Sequence, residues 1–166
     1  RITSIYFDND NFRIYEDSIE GIVPRKKIRL RTYNNFNFTT VNDIYLENKF
    51  SSIEGRYKTV KKIKNFDRLM FNGFLEAQYG IIKPKIKVDY YRKYFQCNNM
   101  RFTLDKCINY TNVRYLGKSQ FSRKSHEIII ELKTKTDAGV EDFFNKNQFE
   151  KTRYSKYCNA VEKTFF

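Results

Sequence analysis

Three segments of this chain carry a charged side chain at every second position, and that alternation limits what they can fold into. In RKKIRLRTY, Arg25, Lys27, Arg29 and Arg31 alternate with Lys26, Ile28, Leu30 and Thr32. Glu47 and Lys49 follow the same rule in IYLENKF, as do Glu127, Glu131 and Lys133 in HEIIIELK. A period of two is the period of a β-strand, whose successive side chains point to opposite faces. One face therefore gathers cations with an occasional carboxylate, while the other is mostly apolar. Such charge density on several strands implies a sheet curled around a polyanion.

Composition supports a folded domain with an anionic partner. At 166 residues the chain is one domain's worth and can bury a core. Thirty-two Lys and Arg against nineteen Asp and Glu leave a net charge of +13, which favours phosphate-rich partners but says nothing directly about fold. Sixteen Phe and thirteen Tyr argue against a disordered basic tail, which would hold few aromatics. Cys97, Cys107 and Cys158 are odd in number and widely spaced, and His126 is the only histidine. That pattern argues against a zinc site and suggests buried free thiols in a reducing, cytoplasmic setting. No run approaches a membrane span in length and no signal peptide is visible. Arg1 leads straight into a strand pattern, so we expect residues before it in a longer parent protein, with other domains.

The alternation and the β-branched and aromatic content predict strands at 2–7, 23–34, 43–50, 56–63, 84–97, 100–109 and 126–135. Asp67–Gly80 reads as an interior helix, capped by Asp67, with Leu69, Met70, Phe74 and Leu75 as its apolar stripe. Asp137 would cap a short helix through Val140 and Phe144. Ser155 would cap a C-terminal helix in which Tyr157, Val161 and Phe165 recur every four residues. Asn34–Asn37 reads as a turn. The fold class is thus α+β: an antiparallel β-barrel with helices packed outside. Closure would hide the sheet edges and gather the cations around a lumen. The apolar faces, Leu30 and Ile130 among them, would point outward under the helices. The plainer alternative is a sheet whose charged face meets water, but a solvated face usually mixes signs.

The cationic set on the strands is Lys27, Arg29, Arg31, Lys49, Lys58, Arg92, Arg101 and Lys133. Arginine grips phosphate through a planar fork and lysine as a mobile point charge, so the mixture suits a chain of phosphoryl groups. Glu47 and Glu131 either offset the repulsion among these cations or hold a divalent metal through hard oxygen ligands.

The order SIYFD (Ser4–Asp8), KIRLR (Lys27–Arg31), LENK (Leu46–Lys49), YYR (Tyr90–Arg92), RFTLD (Arg101–Asp105), ELK (Glu131–Lys133) and RYSKY (Arg153–Tyr157) resembles the VTC domain. That domain is the catalytic module of polyphosphate polymerases and a branch of the triphosphate tunnel metalloenzymes, in the CYTH-like superfamily. The resemblance covers nearly the whole chain, as a single domain over 1–166. It implies a barrel that threads inorganic polyphosphate, uses ATP and needs Mn or Mg. Arg29, Arg31 and Lys156 would act on the transferring phosphates. Lys27, Lys49, Lys58, Tyr90, Arg92, Arg101, Lys133, Arg153 and Ser155 would bind phosphate, and Glu131 would hold the metal. The family places a further strand upstream of SIYFD, so the resemblance also implies truncation at the N-terminus and a missing first strand. Two other functions share the basic lumen. One is a tunnel hydrolase of inorganic or organic triphosphates. The other is a non-catalytic module for polyphosphate or nucleic acid, in which Tyr45, Tyr91 and Phe95 would stack bases. Polymerase is the reading we carry forward, with no nucleic-acid partner expected.

Overall fold

A computed structural model describes residues 1–33, 43–64, 66–97, 100–113, 121–134 and 140–166. Nine strands and four helices follow one another as β1 (Ile2–Asp8), α1 (Arg13–Glu20), β2 (Arg25–Tyr33), β3 (Ile44–Ser51), β4 (Arg56–Ile63), α2 (Phe66–Asn72), β5 (Phe74–Glu76), β6 (Gly80–Cys97), β7 (Met100–Asn112), β8 (Ser122–Ser125), β9 (Ile129–Thr134), α3 (Val140–Lys146) and α4 (Lys156–Phe165). All strand pairs are antiparallel, in the order β4-β3-β2-β1-β6-β7-β8, with β5 added to β6 and β9 to β7. β8 and β9 share one edge of β7, pairing with Ile108–Thr111 and Met100–Asp105 in turn.

The expected closed barrel is not what the described residues form. The sheet is open, because β4 bonds only to β3 and seven of its eight residues are exposed. It is nonetheless strongly curled. Glu131 on β9 acts electrostatically on Lys49 on β3, five strand spacings away along the sheet. In a flat sheet those strands would stand about 24 Å apart.

Register assigns the two faces. Tyr6 lies opposite Arg29 and Ile86, Arg29 opposite Glu47, and Lys49 opposite both Lys27 and Lys58, so these side chains share the concave face. Beyond Tyr90 the pairing slips by one residue at Cys107, whose φ of 53° marks a bulge in β7. The bulge keeps Asp105, Thr103 and Arg101 on the same face as Arg92, and Glu131 and Lys133 join them. Cys107 is exposed rather than buried as expected, and Cys158 is buried; both are free thiols.

The concave face is not uniformly charged, contrary to the simple charged-inside expectation. Ile86, Val88, Ile108 and Tyr110 make its middle apolar, and α4 covers them from inside the curl. Tyr157 of α4 stacks on Tyr6 with ring centroids 5.1 Å apart, and Lys163 lies over the Tyr110 ring. The convex face carries Ile5, Phe7, Ile28 and Leu30, all essentially buried. Leu69, Met70 and Phe74 of α2 and β5 pack against that core, Phe74 meeting Phe7 at 5.4 Å between ring centroids. Leu30 is buried as expected, but Ile130 is half-exposed and carries no such cover.

The helix expected over Asp67–Gly80 stops halfway. Gly73 adopts φ +67°, its N–H closes on the Leu69 carbonyl at 3.1 Å, and a Cβ there would meet the Ile82 carbonyl oxygen at 2.0 Å. Only glycine fits, and the chain turns into β5. The Asn72-Gly73 pair is the turn signal that the apolar stripe concealed. The expected C-terminal helix is present, with Ser155 Oγ accepting the Cys158 N–H at 3.3 Å. The short helix after Asp137 appears as α3, while Asp137 and the Asn34–Asn37 turn lie outside the described residues.

α1 escaped sequence reading because its cap lies in a strand. Phe12 at its N-terminus supplies no side-chain acceptor. The Asp8 carboxylate, at the end of β1, accepts instead from the N–H groups of Asn9 (2.8 Å), Ile14 (2.9 Å) and Tyr15 (3.0 Å), and from the Tyr157 hydroxyl. One buried carboxylate thereby joins β1, α1 and α4. Asp8→Ala leaves these donors without an acceptor and is expected to cost about 3 kcal/mol of stability, with Asp8→Asn intermediate. Urea unfolding followed by circular dichroism checks this; a loss below about 1 kcal/mol would mean that water replaces the carboxylate.

Candidate phosphate-binding site

Two clusters of charge occupy the concave face. In the first, Glu47 on β3 is the hub. Arg29 approaches its Oε2 with Nε at 2.8 Å and Nη2 at 2.6 Å, Arg31 Nη1 stands 3.7 Å away, and Lys58 Nζ reaches Oε1 at 2.7 Å. Arg29 Nη1 also donates to the Tyr6 hydroxyl at 2.9 Å, while Arg31 donates to Ser4 Oγ at 3.2 Å and the Tyr90 hydroxyl at 3.1 Å. Burial would raise the Glu47 pKa, but Arg29, Lys58 and Arg31 hold it at about 2. Its charge is therefore permanent at neutral pH, and it fixes both guanidiniums.

The second cluster centres on Asp105 of β7, which is fully buried. Arg92 grips it with two bonds of 2.6 and 2.7 Å, and Lys156 from α4 adds a third at 2.6 Å. Burial opposes ionisation, yet Arg92 and Lys156 keep the Asp105 pKa below its usual range. Arg92 and Lys156 also lie over the Tyr90 ring, at 5.4 and 5.0 Å from its centroid. Lys27, on the same face of β2, donates to Ser155 Oγ, the cap of α4, at 3.0 Å.

The remaining residues named from sequence are placed less tightly. Lys133 pairs with Glu131 at 3.3 Å. Arg101 is exposed at the far end of β7, opposite Lys133 in register. Arg153 does not join the cluster: its Nη2 donates to the Ser18 carbonyl at 2.6 Å, tying the approach to α4 onto α1. Sequence reading missed Tyr6, Ser4 and Asp105 as members of the site. Their signal was present, since each stands at an alternate position of SIYFD or RFTLD, on the same strand face as a named cation.

Two groups show a surplus of positive charge. Lys49 makes no ion pair among the described residues. Burial, then Arg29 and Arg31, push its pKa down to about 8. Lys49 is also solvent-exposed, which weakens the desolvation contribution, so the downward direction rests on the guanidiniums beside it. Tyr6 shows the converse: burial would raise its phenol, but Arg29, Arg31 and Lys49 bring it down to about 8. The lowered pKa values of the lysine and the tyrosine report the same positive field in the trough.

The oxygen donors available to a metal are few. Among the described residues no three Asp, Glu, Cys or His side chains cluster closely enough to cage one. Glu47 and Asp105 are saturated by cations. Glu131 is not, since its partners Lys133 and Arg92 stand at 3.3 and 3.4 Å and its side chain is two-fifths exposed. Thr103, directly opposite it in register, holds a buried Oγ1 without a hydrogen-bond partner. A loosely paired, part-exposed carboxylate beside an unsatisfied hydroxyl fits a hard cation that arrives with phosphate oxygens and keeps most of its other ligands from them.

An open antiparallel sheet curled around a cation-lined trough, with a helix N-terminus at its side, defines an α+β domain whose concave face is electropositive. The sequence matches the family model of the VTC domain over residues 1–80 and 73–165, and the chain belongs to that family, which is linked to polyphosphate polymerase. No curated protein matches the chain significantly. Among the described residues no helix is long and apolar enough to cross a membrane.

Affinity for an anion in this trough should fall as pH rises through about 8. Above that pH Lys49 loses its charge and Tyr6 gains a negative one, and both changes oppose a polyanion. Isothermal titration with tripolyphosphate between pH 7 and 9 should show the decline, with proton uptake on binding at the alkaline end. Lys49→Arg and Tyr6→Phe should each flatten the profile. A wild-type profile that is already flat would show that neither group faces the ligand.

Proposed function

We propose that this domain transfers the γ-phosphoryl group of ATP to the end of an inorganic polyphosphate chain lying in the trough. The observation that carries the reading is the uncompensated charge around Lys49, together with membership of the VTC family. Repulsion of that kind is tolerated when a dense anion relieves it. The attacking group would be a terminal phosphate oxygen, already ionised at neutral pH, so no general base is required. Arg29 and Arg31, held in place by Glu47, Tyr6 and Tyr90, would position the transferring phosphates and spread their charge. Lys156 and Arg92, braced by Asp105, would face the same path, with Lys49, Lys58, Lys27, Lys133 and Arg101 along it. A divalent cation held by Glu131 and phosphate oxygens would supply charge neutralisation at the leaving diphosphate. A full tunnel would need an element closing the gap between β4 and the β8–β9 edge. A cytoplasmic setting agrees with ATP as donor and with the free thiols.

The nucleic-acid alternative is not favoured by the geometry. Tyr91 and Phe95 alternate with Arg92 and so stand on the convex face, away from the cations of the trough; of the three aromatics only Tyr45, opposite Arg31, shares the trough.

Three measurements test the reading. Binding of polyphosphate should weaken steeply with salt, because contacts with a dense polyanion release counterions. Arg31→Ala should cost about 1.5–3 kcal/mol in binding or transition-state stabilisation, the usual worth of a charged hydrogen bond. Glu131→Gln should bind polyphosphate normally but lose nearly all metal-dependent transfer, measured as chain lengthening from ATP. Release of orthophosphate alone, with no lengthening, would make the domain a triphosphatase. Full activity of Glu131→Gln would reduce Glu131 to a counterweight.

A further inference from the structure

On the convex side, away from the trough, lies a second basic feature with a different character. A shallow groove of about 710 Å³ runs between β4, α2 and β5, lined by Lys61, Lys62, Lys64 and Arg68, with Ile63, Leu69 and Phe74 as its apolar floor and Leu75 at its rim. Lys61 and Ile63 alternate with Lys58 and Lys62 along β4, so they face away from Glu47. Lys62 pairs with Asp43 and Glu76 of β5 with Lys26, while Asp67 lies in the first turn of α2, so the residues lining the groove are net positive.

The apolar residues at its margin are unusually exposed. Leu75 and Ile81 are direct cross-strand partners near the tip of the β5–β6 hairpin, 78% and 61% exposed. Phe71, three residues after Arg68 and so on the same helix face, is 56% exposed. The intervening turn contains Ala77 and Gln78, with no charge at its tip. Single exposed apolar residues are ordinary, but Leu75 and Ile81 pair across the hairpin beside the basic groove, and Phe71 is exposed on the adjoining helix, a grouping of the kind that marks a docking surface. Nothing in the phosphate-transfer chemistry requires them.

We infer that the β5–β6 hairpin and α2 dock this domain onto an anionic lipid bilayer, with Leu75, Ile81 and Phe71 entering the interfacial zone. The arrangement is that of an interfacial anchor: apolar tips project outward, with Lys61, Lys64 and Arg68 beside them to meet acidic headgroups. The apolar residues project instead of lining a deep slot, and this favours a deformable surface over a protein segment. The trough stays free, because it opens on the opposite face of the sheet.

The chain contains no tryptophan, so Leu75→Trp introduces a single indole at the proposed contact. Its emission should shift to the blue with vesicles of phosphatidylcholine containing about a third phosphatidylserine, and not with phosphatidylcholine alone. Excess tripolyphosphate, which occupies the trough, should leave the shift in place; this separates the docking surface from the proposed transfer site. Lys64→Glu with Arg68→Glu should weaken vesicle binding at least about tenfold, and Leu75→Gln with Ile81→Thr, which add no charge to the hairpin, should abolish it in the otherwise native chain. These side chains are exposed, so melting temperatures should not change. Vesicle binding without a blue shift would overturn the inference by showing charge attraction alone. No binding would overturn it too, as would a lipid-free shift that vanishes on dilution, the mark of a second copy covering the patch.

Discussion

The structure depends on how Glu47 is held. Three cations converge on one carboxylate that is almost wholly buried, and two of them, Arg29 and Arg31, are themselves buried. Charges taken out of water cost several kcal/mol each unless partners are placed with good geometry. Here the geometry comes from register: Arg29 lies opposite Glu47 on one side and Tyr6 on the other. A slip of one residue between β2 and β3 would turn the carboxylate to the convex face and strand two guanidiniums. Pairing of the charges and pairing of the strands therefore enforce each other.

The same economy leaves a surplus of positive charge. Glu47 and Asp105 compensate the cations they touch, but they do not neutralise the trough, and Lys49 and Tyr6 register the surplus. The fold thus holds its guanidinium groups in fixed orientation and leaves Lys49 without an ion pair among the described residues. Preorganised cations of this kind favour an anionic transition state because they need not reorient as charge develops. α4 completes the arrangement: its apolar stripe closes the middle of the concave face, and the residues at its start bring Lys156 to Asp105 and Ser155 to Lys27.

Much of this was legible beforehand, for a physical reason. The period-two placement of charge in RKKIRLRTY, IYLENKF and HEIIIELK is a direct consequence of strand geometry, so the strands and the common face of Arg29, Arg31, Glu47, Arg92 and Glu131 could be read from spacing. The motif order likewise matched the family to which the chain belongs. α1 could not be read, because its N-terminal donors are satisfied by Asp8, a residue of the preceding strand, and by no cap of its own. The false continuation of α2 through Leu75 followed an apolar stripe past a glycine whose backbone has no room for a side chain.

What the sequence determined alone was local and periodic: which residues extend, which alternate, where Ser155 starts a helix, and that cations outnumber carboxylates. Those properties follow from dihedral preference and side-chain period, which act over a few residues. Tertiary structure decided everything that needed distant segments to meet. It set which carboxylate each arginine grips, and it turned Arg153 towards Ser18 and away from the trough. It seated α4 inside the curl, where the bulk of Ile86, Val88 and Tyr110 required an apolar cover. It also left the sheet open at β4, because closure depends on whether two edges many residues apart come within hydrogen-bonding distance, and no alternation of residues encodes that.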